Sequence, residues 1–298
     1  MSLSYNIVEK SCYLINSLPG KGVKGIMFKG AEVLADKEDI PKTITRSGIR
    51  FKKISYKGFT MHLFRKKSQK HSNGQAVFFL PGGGGMTRAT YLHYHAARKI
   101  AVSTGADVFV VNYPLAPKYN ASYALDWLEE VYAKLLKKYK AGNITFMGDS
   151  AGANLILSLC GRVPNKPGGL IVISPACGLN YGKERDIRLA MERQDPILSV
   201  EMNDIIAENW CKGMDIAGPD MSPEAVDYTG FPPIYFFYGQ HELFYPHVIN
   251  YIDKIDAQGV NFKKEVEPMC HDWALCFFFP EGREAVRKMC EFVTAHRK

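Results

Sequence analysis

The pentapeptide 148–152 reads GDSAG and stands where the apolar run 143–147 passes directly into a helical pattern. Small residues on both sides of Ser150 allow a sharp strand-to-helix turn, which would present the serine oxygen at the edge of a sheet. The N-terminus of the following helix would favour negative charge that develops there. This context predicts a nucleophilic serine, and the alternative is a tight turn that only caps the helix.

One proline and four glycines occupy positions 81–85, immediately after the apolar run 76–80. Consecutive glycines are costly in chain entropy, so they indicate backbone with positive φ or in close contact with another group. Backbone N–H groups in such a loop can bind the oxyanion that forms during acyl transfer. A phosphate-binding loop is a competing interpretation, but the dinucleotide glycine spacing and a Gly-Lys-Ser/Thr ending are both missing. A flexible loop without a chemical role is the other alternative.

The rest of the chain alternates short apolar runs with longer helical patterns, which is typical of a parallel sheet covered by helices on both faces. Two early runs instead alternate like an antiparallel pair. The predicted strands are 49–56, 59–65, 76–80, 106–112, 143–147, 170–174, 234–238 and 262–267, and the predicted helices are 91–103, 122–139, 151–162, 199–212, 246–258 and 281–296. The predicted fold class is therefore α/β.

Two stretches fall outside this alternation, namely roughly the first forty residues and the segment 178–230. Neither contains a strand pattern. The second holds a helical pattern bracketed by Asp-Pro and Gly-Pro pairs, so we interpret it as a helical insertion rather than a linker. We expect a single domain over 1–298, with cap elements from about 1–45 and 178–230 that cover the site.

Composition excludes several classes of protein. The 298 residues are 46% hydrophobic and 23% charged, unlike disordered or collagen-like chains. The densest apolar run, 274–279, is much shorter than the roughly 18 residues that a membrane helix needs. No basic stretch leads into an apolar segment near residue 1, so no secretory signal is predicted and the expected location is cytoplasmic.

Cysteine spacing and charge exclude further classes. The seven cysteines include no Cys-x-x-Cys pair, so we expect reduced thiols rather than disulfides or a thiolate metal site. The net charge of +8 is spread over short basic groups without a recognisable binding module, so nucleic acid is not an expected partner. His93 and His95 lie about 200° apart around a helix and cannot bind one metal ion. No cofactor and no metal are predicted.

Six motifs follow one another along residues 75–298. They are PGGG (81–84), YPLAP (113–117), GDSAG (148–152), DPILS (195–199), GQHEL (239–243) and HDW (271–273). This order resembles the hormone-sensitive-lipase-like branch of the α/β-hydrolases. The resemblance implies an α/β-hydrolase fold, with about eight mostly parallel strands flanked by helices and a helical cap. The chain departs from the family pattern at Pro81, Pro114 and Lys118, where the family has histidine, arginine and glutamate.

Carried over position by position, the resemblance implies that Ser150 is the nucleophile, Glu242 the acid and His271 the general base. The oxyanion hole would use the backbone of Gly83, Gly84 and Ala151. The positions also fit the pattern of elements, because Glu242 and His271 each follow a predicted strand. Without the serine, the histidine could equally be a structural loop residue, and the glutamate a charge near a helix N-terminus.

Five other carboxylates are poorer candidates for the acid. Asp253 and Asp256 lie inside a predicted helix. Asp272 adjoins the predicted base in sequence and would struggle to receive its Nδ1–H. Asp149 belongs to the turn at the serine, which we expect it to buttress. Asp195 lies in the insertion, where its proline neighbour indicates the start of a helix.

The predicted function is a serine carboxylesterase that hydrolyses short- to medium-chain acyl esters through a Ser-His-Glu triad. One alternative is a deacetylase or amide hydrolase with the same triad. The other is a catalytically silent, ligand-binding homologue, which the changes at Pro81 and Pro114 would favour. The expected partner is a small-molecule ester, and the last helix with Cys290 could serve a homodimer.

Overall fold

The computed structural model describes residues 1–16, 40, 42–46, 48–177 and 185–296. Its centre is an eight-stranded sheet with the order β1-β2-β4-β3-β5-β6-β7-β8. The strands are β1 Ile49–Tyr56, β2 Phe59–Lys66, β3 Ala76–Leu80, β4 Asp107–Asn112, β5 Ile144–Asp149, β6 Gly169–Ile173, β7 Ile234–Gly239 and β8 Phe262–Glu267. Strand β2 runs antiparallel to both neighbours, and β3 to β8 are mutually parallel. The predicted α/β class and the antiparallel pair are confirmed.

Nine α-helices accompany the sheet within the described residues. They are α1 Leu3–Asn16, α2 Lys42–Arg46, α3 Tyr91–Thr104, α4 Ala121–Leu135, α5 Ser150–Arg162, α6 Arg185–Glu192, α7 Val200–Trp210, α8 Tyr245–Ala257 and α9 Pro280–Ala295. Helix α4 ends four residues earlier than its sequence pattern predicts. The reason is Tyr139, whose hydroxyl turns inward and donates a hydrogen bond to the buried Asp107 carboxylate.

The parallel strands are apolar on both faces because helices cover both sides of the sheet. Successive residues point to opposite faces, so Phe78 packs into the core beneath α4, α5 and α8, while Phe79 packs beneath α3 and α9. Phe236 and Phe237 divide between the two cores in the same way. Full burial of one such side chain contributes about 2 kcal/mol, so this double core fixes the carboxyl edge of the sheet.

The segments predicted as cap elements are described only in part, because residues 17–39 and 178–184 lie outside the described ranges. The described part of the insertion contains α6 and α7. Helix α1 is anchored by Tyr5, which is 1% exposed and packs edge-on against Phe279 at 5.3 Å. None of the described helices combines the length and apolarity that a membrane crossing requires.

Candidate active site

Ser150 lies at the turn from β5 into α5, with a φ of 50°. Positive φ is unfavourable for a serine, so this conformation must be held by its surroundings. The flanking glycines make the turn sterically feasible. A Cβ at Gly148 would lie 2.4 Å from the Gly152 carbonyl oxygen, and a Cβ at Gly152 would lie 2.0 Å from that of Leu80. The sharp turn predicted from the sequence is therefore present.

The glycine loop, residues 81–85, follows β3, which pairs directly with β5. Gly83, Gly84 and Gly85 all have positive φ, at 109°, 64° and 68°. These values are strained for any residue with a side chain. A Cβ at Gly82 would stand 2.9 Å from the Ser150 Cβ, so the loop runs immediately beside the serine.

Two anchors hold the glycine loop through its backbone. Asp149 is 1% exposed, and its Oδ2 accepts the Gly82 N–H at 3.0 Å. The Tyr113 hydroxyl donates to the Pro81 carbonyl oxygen at 2.8 Å. We expected Asp149 to support the serine turn. Its hydrogen bond to Gly82 shows that it also holds the glycine loop.

His93 connects helix α3 to this carboxylate. Its Nε2 lies 2.9 Å from Asp149 Oδ2, and its Nδ1 lies 2.8 Å from the Thr90 backbone nitrogen. Because a backbone N–H can only donate, Nδ1 is the acceptor and the ring proton lies on Nε2, which donates to Asp149. Sequence analysis treated His93 only as a poor metal ligand and missed this role.

Glu242 and His271 meet across the loops that follow β7 and β8. The Glu242 Oε2 lies 3.1 Å from His271 Nδ1, and both residues are buried, at 0% and 3% exposed. The second carboxylate oxygen accepts the Gly239 N–H at 3.3 Å. Because the carboxylate can only accept here, the proton of the ring lies on Nδ1 and Nε2 is left as the basic nitrogen. The glutamate is therefore bound to the histidine rather than acting as a free charge at a helix start.

Ser174 and Asp195 support this pair, and sequence analysis missed both roles. Ser174 directly follows β6 with a φ of 40° and accepts the Asp272 N–H at 3.1 Å, and its hydroxyl lowers the pKa of Glu242. Asp195 is 1% exposed and accepts the Leu243 N–H at 2.8 Å, which fixes the residue after the glutamate. Burial raises the pKa of Glu242, while the hydrogen bonds from His271 and Ser174 oppose part of this rise.

His271 Nε2 has no hydrogen-bond partner among the described residues. Ser150 is 8% exposed and makes no hydrogen bond to Nε2. Such contacts commonly tighten only when substrate is bound. Asp272 was expected to be unable to reach Nδ1, and it lies instead on the opposite side of the ring, with Oδ2 3.3 Å from Nε2.

Helix α1 contacts both of the loops that carry the pair. The Tyr5 hydroxyl accepts the Cys270 N–H at 2.7 Å, one residue before the histidine. Glu9 Oε1 lies 3.0 Å from His241 Nδ1, one residue before the glutamate. The N-terminal helix thus reaches the site from the side of the loops that carry Glu242 and His271.

Helix α7 contacts the site from the side of the glycine loop. A Cβ at Gly84 would lie 2.5 Å from Ile206 Cδ1, and one at Gly85 would lie 2.2 Å from the Trp210 ring. These contacts and the positive φ values favour glycine at both positions, and they place apolar side chains against the glycine loop.

No group of three His, Cys, Asp or Glu side chains in the described part of the chain is arranged to hold a metal ion. His95, the second histidine of α3, stacks on Phe277 with ring centroids 3.8 Å apart. The two histidines of this helix therefore have separate surroundings.

Comparison with known proteins agrees with this architecture. A family model for the α/β-hydrolase fold matches residues 77–275. An esterase of Acinetobacter venetianus is 29% identical over 229 residues, covering 74% of this chain and 75% of that protein. The esterase LipU of Mycobacterium tuberculosis is 26% identical, covering 74% of this chain and 77% of its own. The crystal structure of an esterase from the bacterial hormone-sensitive lipase family has a TM-score of 0.82, with 22% identity and 99% of both chains covered. Since the family model spans most of the chain, the protein belongs to the α/β-hydrolase fold family.

Proposed function

We propose that the protein is a serine carboxylesterase in which Ser150, His271 and Glu242 form the catalytic triad. The observation that carries the proposal is the buried Glu242–His271 hydrogen bond at the sheet edge where the positive-φ serine also lies. The serine, the acid and the base follow β5, β7 and β8 in the chain order that α/β-hydrolases use. The names of the esterase relatives support the same class of substrate.

The reaction begins when Ser150 Oγ attacks the ester carbonyl carbon and His271 Nε2 takes the hydroxyl proton. Glu242 stabilises the resulting imidazolium through Nδ1–H. The imidazolium then gives its Nε2 proton to the alkoxide as the carbon–oxygen bond to the leaving alcohol breaks. Water attacks the acyl-enzyme by the same route, which releases the carboxylic acid and restores the serine.

The tetrahedral intermediate needs hydrogen-bond donors for its oxyanion, and we assign them to the backbone N–H groups of Gly83, Gly84 and Ala151. The positive φ values of the two glycines and the position of Ala151 in the first turn of α5 support this assignment. Removing a single donor of this kind typically lowers kcat by about a hundredfold or more, so the anchoring of the loop matters for rate.

The acyl-chain length that we propose for the substrate depends on the elements that we assign to a cap over the site. We assign helix α7, and the segments 1–45 and 178–230 more generally, to a cap over the site. Ile206 and Trp210 of α7 stand against the glycine loop, and the Trp210 and Tyr113 rings lie 5.9 Å apart. Bulky apolar groups packed against the glycine loop favour short and medium acyl chains over long ones.

A fluorophosphonate probe read by intact mass tests the proposal, together with hydrolysis of p-nitrophenyl acetate, butyrate and octanoate. We expect one phosphonyl adduct and turnover in the wild type. Ser150→Ala should lose the adduct and at least about a thousandfold in kcat. Ser158→Ala is the matched control on the same helix, because its hydroxyl is already bound to the Asp220 carbonyl oxygen.

The alternatives give different results in the same experiment. Faster cleavage of p-nitroacetanilide than of p-nitrophenyl acetate would indicate an amide hydrolase. A folded protein without adduct or turnover would instead indicate a ligand-binding homologue.

A further inference from the structure

Asp272, the residue that follows His271, has a left-handed backbone conformation with φ 58° and ψ 23°. Its N–H donates to Ser174, which fixes the backbone. The side chain is then directed back toward the imidazole, with Oδ2 3.3 Å from Nε2. One quarter of this side chain is exposed, although its Oδ1 is buried.

This carboxylate has no structural hydrogen bonds within the described residues. Its Oδ1 is buried without a partner, and Nε2 of His271 likewise has none. The contact between Oδ2 and Nε2 does not have hydrogen-bond geometry, but a carboxylate this close attracts an imidazolium cation more strongly than a neutral ring. The geometry therefore favours a proton on Nε2, the atom that must be free to accept the proton of Ser150.

The other charged groups around His271 act in the same direction. Glu242 is bound to Nδ1, and Asp195 lies behind Glu242. Although burial favours the neutral ring, Asp272, Glu242 and Asp195 together outweigh it and raise the pKa of His271.

Asp272 is itself surrounded by groups of both signs. Burial raises the pKa of its carboxyl most strongly, Asp149 and Glu242 raise it further, and His271 and His93 oppose the rise. Two such interacting groups titrate as a pair. A proton taken up at lower pH is therefore shared between Asp272 and His271.

We propose that Asp272 is a further catalytic residue, whose carboxylate competes with Ser150 for Nε2 of His271 and sets the pH above which the base becomes available. This inference rests on the proposed function, because it assigns His271 as the base. As pH rises, the shared proton leaves to solvent, and the Nε2 lone pair can then accept the hydroxyl proton as the Ser150 Oγ–carbon bond forms. The free enzyme is thereby held in an inactive protonation state at lower pH.

The test is the pH dependence of kcat/KM for p-nitrophenyl butyrate, measured between about pH 5 and pH 10. Asp272→Asn and Asp272→Gly are suitable variants, because both residue types tolerate the left-handed conformation. Removing the carboxylate lowers the pKa of the base, so the acid limb should move down by about one pH unit or more. When kcat/KM is divided by its value on the alkaline plateau of the same protein, each variant should exceed the wild type about tenfold on the acid limb. Asp256→Asn, on an exposed position of α8, is the control and should keep the wild-type profile.

A second readout does not require turnover. The imidazole of His271 is titrated by nitrogen-15 NMR in the wild type and in both variants, with His271→Gln to assign the signal. A higher pKa in the wild type than in the variants supports the proposal even if no ester is hydrolysed. Equal pKa values, or a wild-type value at or below that of an ordinary histidine, would overturn it, and so would acid limbs that coincide in all active proteins.

Discussion

His93 makes two contacts, one with Asp149, which holds the glycine loop, and one with the Thr90 N–H at the start of helix α3. Two substitutions of His93 separate the effects of these contacts. His93→Asn keeps a side-chain acceptor near the Thr90 N–H but is too short to reach Asp149. His93→Gln reaches Asp149 with its amide N–H but no longer accepts from Thr90. The two variants thus remove opposite ends of the same side chain.

The magnitudes follow from burial. Asp149 is 1% exposed and its Oδ2 accepts two donors, Gly82 N–H and His93 Nε2–H. Losing a hydrogen bond to a buried charge costs about 2 kcal/mol, so His93→Asn should destabilise the protein by that amount. The loosened glycine loop should lower kcat about tenfold, equivalent to about 1.4 kcal/mol of transition-state stabilisation. His93→Gln should lower the free energy of unfolding by about 1 kcal/mol, because the contact with the Thr90 N–H is lost. Its kcat should stay within about twofold of the wild-type value.

Equilibrium urea unfolding measures the stability changes, and steady-state kinetics with p-nitrophenyl butyrate measure kcat and KM separately. His95→Asn, two residues along α3 with its ring stacked on Phe277, is the control and should leave kcat unchanged. If the Asn and Gln variants at position 93 have the same kcat, then the bond to Asp149 does not position the loop and the reasoning fails.

Two further predictions concern the packing around the site. Tyr5→Phe leaves the Cys270 N–H without its acceptor, so urea unfolding should show a loss of about 1 to 3 kcal/mol. The kcat should fall more than KM rises because His271, the proposed base, is the next residue, and unchanged stability would mean that helix α1 does not support this loop. Gly152→Ala places a Cβ 2.0 Å from the Leu80 carbonyl oxygen and should abolish cooperative thermal unfolding by circular dichroism. Gly161→Ala, on the same helix with only a 3.6 Å contact, should instead be neutral or stabilising by about 0.5 to 1 kcal/mol, so similar losses in both variants would contradict the steric argument.

Sequence patterns predicted the sheet and the serine turn well because both depend on local signals. The apolar run before Ser150, the glycines beside it and the helical pattern after it are contiguous, and each restricts the same short stretch of backbone. The same holds for the antiparallel pair β1 and β2, whose alternation and two-residue connection are local. These features are set within a few residues of one another.

The supporting contacts could not be predicted because they join distant segments. Tyr5 binds the backbone at Cys270, 265 residues away, and His93 binds Asp149 across 56 positions. Only Ser174 carried a usable signal, since it is a polar residue at the carboxyl end of an otherwise apolar strand. The position of Asp272 was beyond prediction for a different reason, because its left-handed backbone, which turns the carboxylate to Nε2, is imposed by tertiary contacts.

The departure from the family pattern at Pro81 has a physical explanation in the way the glycine loop is held. Both anchors of the loop bind main-chain atoms, the Pro81 carbonyl oxygen and the Gly82 N–H, so neither requires a side chain at position 81. Proline lacks a backbone N–H and fixes its own φ, yet the group that Tyr113 binds is the carbonyl, which proline retains. Because the anchoring side chains come from Asp149 and Tyr113, replacing histidine by proline removes no contact that this loop uses. The changed position is therefore compatible with an ordered glycine loop and does not by itself favour a catalytically silent protein.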